Sequence, residues 1–327
     1  MKTKLLFTIF TIFTLTVGLY GGYRFGKSNL KQGSEQVSQE NFPFLAKRIF
    51  VESPNDIIIN FISLRDELRF YVVGRNEKIG IYFEYLPNGT SIGINEKEDF
   101  FRASLIKVPV VMRAYKLIEE GKLRKDDVLV IERKHIDPTY GELWKAGEGS
   151  RLTVLEAVRL IITKSDNTAY EALNDKIGNS ILQEELGQER SVTNVYDFLD
   201  IPRKELGVNQ YITPKNFSSI LKSLYFSAYL SYEYSNEILD FMTTSEYTQS
   251  LVEPLPKEIR VAHKFGVYSL DKEGFNVHSD CGIIYFPQRP YILCVMVNTP
   301  DSDIAEGLIR EISEKVYKFV QRANKGG

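Results

Sequence analysis

The chain has 327 residues, of which 43% are hydrophobic and 26% charged, so it is long enough for one large globular domain or two small ones. A formal net charge of -2 argues against the basic footprint of a nucleic-acid-binding protein. Three histidines, two cysteines and no C-x-x-C or H-E-x-x-H pattern argue against a metal centre, and no cofactor is expected.

In chain order, the first signal is at the N-terminus. Lys2 and Lys4 precede an uncharged, mostly apolar run from Leu5 to Tyr23, close to the roughly 20 residues that span a bilayer. Tyr20, Tyr23 and Arg24 suit a membrane interface. The run is long and no A-x-A sequence closes it, so residues 1–27 read as an uncleaved membrane anchor in preference to a cleaved signal peptide. Arg24, Lys27 and Lys31 on the far side leave its orientation open. Residues 28–45 are rich in Ser, Gln, Glu and Asn and read as a polar linker.

A domain over 46–325 follows. Ile57, Ile58, Phe61, Ile62 and Leu64 predict an amphipathic helix running to about Phe70. Ile79–Tyr85 and Thr90–Ile94 predict a hairpin around Pro87-Asn88-Gly89. A helix opening at Ser104 runs to about Glu120 and stops at Gly121, with Pro109 expected to distort its first turns. Thr153 and Glu156 form a capping box for a helix to Thr163. Ser165-Asp166-Asn167 interrupts the pattern before a second helix to Gly178, and Thr213-Pro214 opens a third, to about Ala228. His263–Ser269, Cys281–Phe286 and Tyr291–Val297 predict an antiparallel meander with a turn at 287–290. The last helix carries Ile304, Leu308, Ile312, Val316, Phe319 and Val320 at helical spacing. The expected architecture is α+β: one antiparallel sheet flanked by terminal helices, with an all-helical insert over about 121–255. The two cysteines fall on neighbouring strands and read as small buried apolar residues.

Three short motifs carry the chemistry. Ser104 and Lys107, spaced i, i+3 at the start of a helix, share one face. Ser104 is the nucleophile candidate and Lys107 its base, because a serine hydroxyl needs a neighbour to take its proton and a buried lysine can be neutral. Ser165 can relay a proton to a leaving group, and Asn167 can hold Lys107 or a substrate amide. Lys264 adds positive charge that helps keep Lys107 neutral and attracts a substrate carboxylate. Gly266 lets substrate lie along a strand edge, and the Ser104 and Val267 N–H groups can hold an oxyanion. Alone, each motif is an ordinary helix face, turn or strand. S-x-x-K, then S-D-N, then a late K-x-G before a strand is the combination that specifies acyl transfer through a serine ester.

At these residues the chain resembles the class A β-lactamases and related penicillin-recognising serine enzymes, over about residues 56–322. Phe101-Arg-Ala-Ser-Leu-Ile-Lys107, Leu152–Ala169 and Cys281-Gly-Ile-Ile284 carry the likeness. The resemblance implies a β-lactamase/transpeptidase-like fold and a serine hydrolase that opens a β-lactam or a related amide. It also implies an extracytoplasmic domain on a single-pass anchor. The alternatives are a D,D-peptidase acting on peptidoglycan stem peptides and a slowly deacylating penicillin-binding sensor. Two positions depart from the family. Phe265 replaces the Thr or Ser of K-[ST]-G, and residues 196–209 show no clear E-x-x-L-N match, leaving Asp197, Asp200 and Glu205 as weak carboxylate candidates. By the same likeness His135, Tyr140 and Trp144 lie in a loop that could border the site, with His135 read as an incidental polar residue. His263 and His278 have no sequence support as members of a Ser-His-Asp triad. Tyr225, Phe226, Tyr229, Tyr232 and Tyr234 read as packing.

Overall fold

A computed structural model describes Phe44 and residues 60–177, 195–199, 201, 210–270 and 275–325. The N-terminal apolar run, the linker apart from Phe44, and the side chains of Asp197, Asp200 and Glu205 lie outside the described residues. Among the described residues no helix is long and apolar enough to cross a membrane.

The chain enters through α1 (Ile62–Val72) and the hairpin β1 (Lys78–Tyr85) and β2 (Thr90–Ile94). The two-residue strand β3 (Phe100–Phe101) leads into a 3₁₀ turn (Ala103–Ile106) and α2 (Lys107–Glu119). Then follow β4 (Val128–Val130), β5 (Arg151–Thr153), α3 (Val154–Thr163), α4 (Asn167–Lys176) and the single turn α5 (Val195–Phe198). The strand β6 (Tyr211–Ile212) precedes α6 (Pro214–Tyr225) and α7 (Tyr232–Thr243). The meander β7 (Val261–Leu270), β8 (Phe275–Ile284), β9 (Tyr291–Thr299) and the long α8 (Ser302–Lys325) close the domain.

The main sheet is antiparallel with strand order β2-β1-β9-β8-β7. On one face, Ile79, Ile81 and Phe83 of β1 and Leu293, Val295 and Val297 of β9 pack against Leu64 and Leu68 of α1 and Leu308, Ile312, Val316 and Val320 of α8. The period-2 and helical spacings of these residues are the reason the elements stack this way. β9, in the middle, is buried almost throughout because both faces are covered. On the opposite face a Cβ on Gly80 would lie 2.6 Å from the Phe100 ring and 2.9 Å from Pro214, so β3 and α6 close tightly over β1. β7 is left as an edge strand, and it lies against the 3₁₀ turn that carries Ser104.

Several details differ from the sequence expectations. Ile62 and Phe70 are exposed, so the stripe of α1 is Phe61, Leu64 and Leu68, and the helix continues to Val72. Pro109 does not distort a helix. The 3₁₀ turn delays the α-helix to Lys107, so Pro109 sits at its third position, where the N–H has no partner in any helix. The insert is not all-helical: β4 pairs with β5, and β6 pairs with β3. Helix α6 ends at Tyr225, three residues early, and Ser227 turns the chain with φ 48° toward α7, a helix that its run of tyrosines concealed. Tyr225 and Tyr229 are buried, while Phe226 is exposed. Cys281 and Cys294 form a disulfide. They face each other directly across β8 and β9, with Cα atoms 3.9 Å apart. That pairing belongs to the register of the two strands, which runs from Asn276↔Thr299 to Ile284↔Tyr291.

Candidate active site

The 3₁₀ turn is what brings the first motif together. In a 3₁₀ turn residues i and i+3 eclipse, and Lys107 Nζ lies 3.2 Å from Ser104 Oγ, within hydrogen-bond reach. Ala103, just before the serine, has φ 43°, a left-handed conformation that L residues adopt at a cost of about 1–3 kcal/mol. The second motif has the same device: Ser165 is fully buried with φ 53°. This aims its main chain and side chain at one amine. Lys107 Nζ donates to Ser165 O at 2.6 Å, Ser165 Oγ at 3.1 Å and Asn167 Oδ1 at 2.5 Å.

Lys107 is held at about pH 8, well below an ordinary lysine. Burial is the cause, acting against the pull of Asp166, Asp137 and Glu171. Lys264 is fully buried, and its Nζ donates to Ser165 Oγ at 3.0 Å and to Phe265 O at 2.8 Å. Burial pushes its pKa well below the usual range, and the charge on Lys107 pushes it further. Desolvation is the main cause for both amines, and charge on either one disfavours charge on the other.

Asp166 is the structural centre of the second motif. Its Oδ1 caps α4 by accepting from Ala169 N at 2.9 Å. Its Oδ2 accepts from Glu142 N at 2.7 Å and Leu143 N at 2.9 Å. Asn167 N donates to Tyr140 O at 3.0 Å, so the loop at 137–143 is fastened to the motif. Gly141, with φ 90°, is required there: a Cβ would lie 2.6 Å from Asp166 Cα. Asn167 Nδ2 donates to Thr139 Oγ1 at 2.7 Å and Asp137 Oδ2 at 3.1 Å.

On the other side of Ser104, a Cβ on Gly266 would meet Ser104 N at 3.3 Å and Ala103 Cβ at 3.2 Å. That close approach sets the backbone of Gly266 and Val267 beside the serine N–H. Val267 is exposed. The structure thus gathers Ser104, Lys107, Ser165, Asn167, Lys264, Gly266 and Val267 around one point. A nucleophile, an amine of lowered pKa, a second hydroxyl and two backbone N–H groups together can perform acyl transfer. Among the described residues no group of three or more His, Cys, Asp or Glu side chains is placed to hold a metal ion.

Sequence reasoning missed Asp137, Thr139, Gly141 and Glu171. Glu171 lies one turn beyond Asn167 on α4, half-buried, and takes no hydrogen bond from any described residue. Burial and the nearby Asp137 raise its pKa, and Lys107, His135 and Asp175 act on it more weakly. The i, i+4 spacing from Asn167 was the signal that could have found it. His135 is structural: Nδ1 accepts from Glu132 N at 3.0 Å, and Nε2 lies 3.3 Å from Asp175 Oδ2. Tyr140 is exposed at the rim of the site, and Trp144 is half-buried in a 3₁₀ turn, Leu143–Ala146. His263 Nδ1 is 2.8 Å from Asp280 Oδ1, and Ser250 Oγ donates to Asp280 Oδ2 at 2.7 Å. That hydroxyl binds the carboxylate instead of the imidazole, so these three residues are not a triad. His278 Nε2 lies 3.0 Å from Ser302 Oγ and ties β8 to α8.

Residues 63–320 match the sequence profile of the Beta-lactamase enzyme family. Among solved structures, PBP-A superposes with a TM-score of 0.67 at 24% identity, covering 80% of this chain and 97% of that one. A PBP-A variant solved as an acyl-enzyme complex with penicillin G gives 0.66 at 25% identity, covering 80% and 97%. A β-lactamase from Sphaerobacter thermophilus gives 0.67 at 22% identity, covering 82% and 100%. No curated protein matches the chain.

Proposed function

Because the chain belongs to the Beta-lactamase enzyme family, we propose that it is a serine hydrolase that opens a β-lactam amide through an ester on Ser104. The observation that carries this reading is one buried amine, Lys107 Nζ, 3.2 Å from Ser104 Oγ and 3.1 Å from Ser165 Oγ, with a pKa lowered to about 8. Neutral Lys107 takes the proton as Ser104 Oγ forms its bond to the carbonyl carbon. The Ser104 and Val267 N–H groups hold the oxyanion. As the C–N bond breaks, the proton passes through Ser165 Oγ to the leaving nitrogen, with Lys264 donating to the same oxygen.

Glu171 is our candidate for hydrolysis of the ester. Its carboxylate takes a proton from water as the water oxygen bonds to the acyl carbon, and that proton passes on by way of the Lys107 amine to Ser104 Oγ as it leaves, which restores both groups. A raised carboxyl pKa brings such a base toward working pH. The penicillin G acyl-enzyme of PBP-A favours a second reading in which this step is slow and the protein acts as a penicillin-binding peptidase or sensor. Absorbance of a chromogenic cephalosporin, followed together with intact mass, separates the two. Sustained colour with unmodified protein supports hydrolysis; one equivalent of colour with a stable adduct supports the slow reading; neither colour nor adduct contradicts both.

The Leu5–Tyr23 run supports anchoring to a membrane, and the family likeness supports a domain on the extracytoplasmic side. The Cys281–Cys294 disulfide supports the same placement, since disulfides persist in oxidising compartments.

A further inference from the structure

The wall that β7 presents to the cleft is aromatic and backed by acids. Phe265 is buried, and its ring stacks on Tyr247 with centroids 4.1 Å apart and planes 18° apart. The exposed Tyr140 ring meets it at 5.5 Å. Lys264 Nζ sits 4.0 Å over the same ring, and with no exposed surface it is closed off behind Ser165 and Phe265. Tyr247 OH donates to Glu306 Oε1 at 2.9 Å. Glu246 and Glu306 both act on Tyr140, and Asp280 acts on Tyr247. Lys164, next to Ser165 in sequence, is held by Glu246 at 3.2 Å. Past Gly266 the surface continues apolar: Val267 and Tyr268 are exposed, and Tyr268 stacks on Phe101 at 4.3 Å.

A carboxylate laid against this wall would meet the exposed Tyr140 ring and the acids Glu246 and Glu306 that act on it. The two neighbouring lysines are engaged, Lys264 buried against Ser165 Oγ and Lys164 paired with Glu246. We propose that the part of the substrate lying against β7 is uncharged and apolar, and that Phe265 is the residue that sets this preference. The inference rests on the acyl-enzyme reading, since it concerns what reaches Ser104.

The test compares benzylpenicillin with its methyl ester, which share the reactive ring and differ only in the carboxylate. Rates of Ser104 acylation by each are read by intact mass on the full-length chain and on Phe265→Thr. The expected result is that wild type reacts with the ester at least about tenfold faster than with the acid, the scale of a modest unfavourable charge contact. Phe265→Thr, which replaces the ring with a hydroxyl donor, is expected to narrow that ratio by raising the rate for the acid. A wild-type preference for the acid overturns the proposal without any variant, so it stays testable if Phe265→Thr fails to fold. A ratio that Phe265→Thr leaves in place overturns the role of Phe265. An absence of both adduct and consumption with the two compounds overturns the acyl-enzyme reading, and this inference with it.

Discussion

The two sides of the cleft are built differently. On the Ser104 side, Lys107, Ser165 and Asn167 come from three elements and share one amine, with every contact between 2.5 and 3.2 Å. On the β7 side, Phe265, Tyr247 and Tyr140 meet through ring faces and edges at 4.1–5.5 Å, and the one lysine, Lys264, is buried with its Nζ on Ser165 Oγ. Proton transfer needs groups within hydrogen-bond reach of each other, so it admits few residue types at few positions. Recognition needs only a surface of suitable shape and charge, so it tolerates a phenylalanine where a hydroxyl would also fit.

The sharpest way to break this contrast is on the reactive side. Ser104→Ala is expected to abolish acylation, and labelling of that variant by a fluorescent penicillin would place the nucleophile elsewhere. Lys107→Ala should slow acylation by about 10²–10⁴-fold, the size of a general-base effect; stopped-flow rates equal to wild type would remove Lys107 from that role. Glu171→Gln keeps the shape and removes the base. It should leave the acylation rate near wild type while release of product falls about 10²-fold or more. Equal losses in both steps would mean that Glu171 only organises α4.

A pH profile sharpens the same side. The folded pKa of Lys107 is lowered to about 8, so its neutral, proton-accepting form is lost as pH falls below that value. Acylation should drop about tenfold per unit below pH 8 and level off above it; a flat profile from pH 6 to 9 would contradict a lysine base. The smallest effect expected is structural. Gly141→Ala forces a side chain into a left-handed site against Asp166 and should cost about 1–3 kcal/mol of stability. Chemical denaturation with an unchanged midpoint would show that the loop relaxes freely.

The same division explains what could be read from the amino-acid order. Ser104, Lys107, Ser165 and Asn167 were legible because local spacing creates their geometry: one turn of helix, and one interruption between two helices. The hairpin and the meander were legible from their strand residues and turns, and α8 from its apolar stripe, whereas the pairing of β1 with β9 that sets the strand order was not. Asp137, Thr139 and Gly141 were not legible, because their importance lies in a loop folding back onto Asp166 from about 25 residues away. The disulfide was missed because pairing needs the β8–β9 register, and α7 because its tyrosines conceal a face formed by Ile238, Leu239 and Met242. Phe265 was visible as a departure, but its stacking on Tyr247 was not.

The most direct test of the central claim is peptide mapping of the full-length chain after brief exposure to benzylpenicillin. The account expects one adduct of the intact penicillin mass, carried by the peptide containing Ser104. An adduct on any other residue, or consumption of the β-lactam that persists in Ser104→Ala, would contradict it.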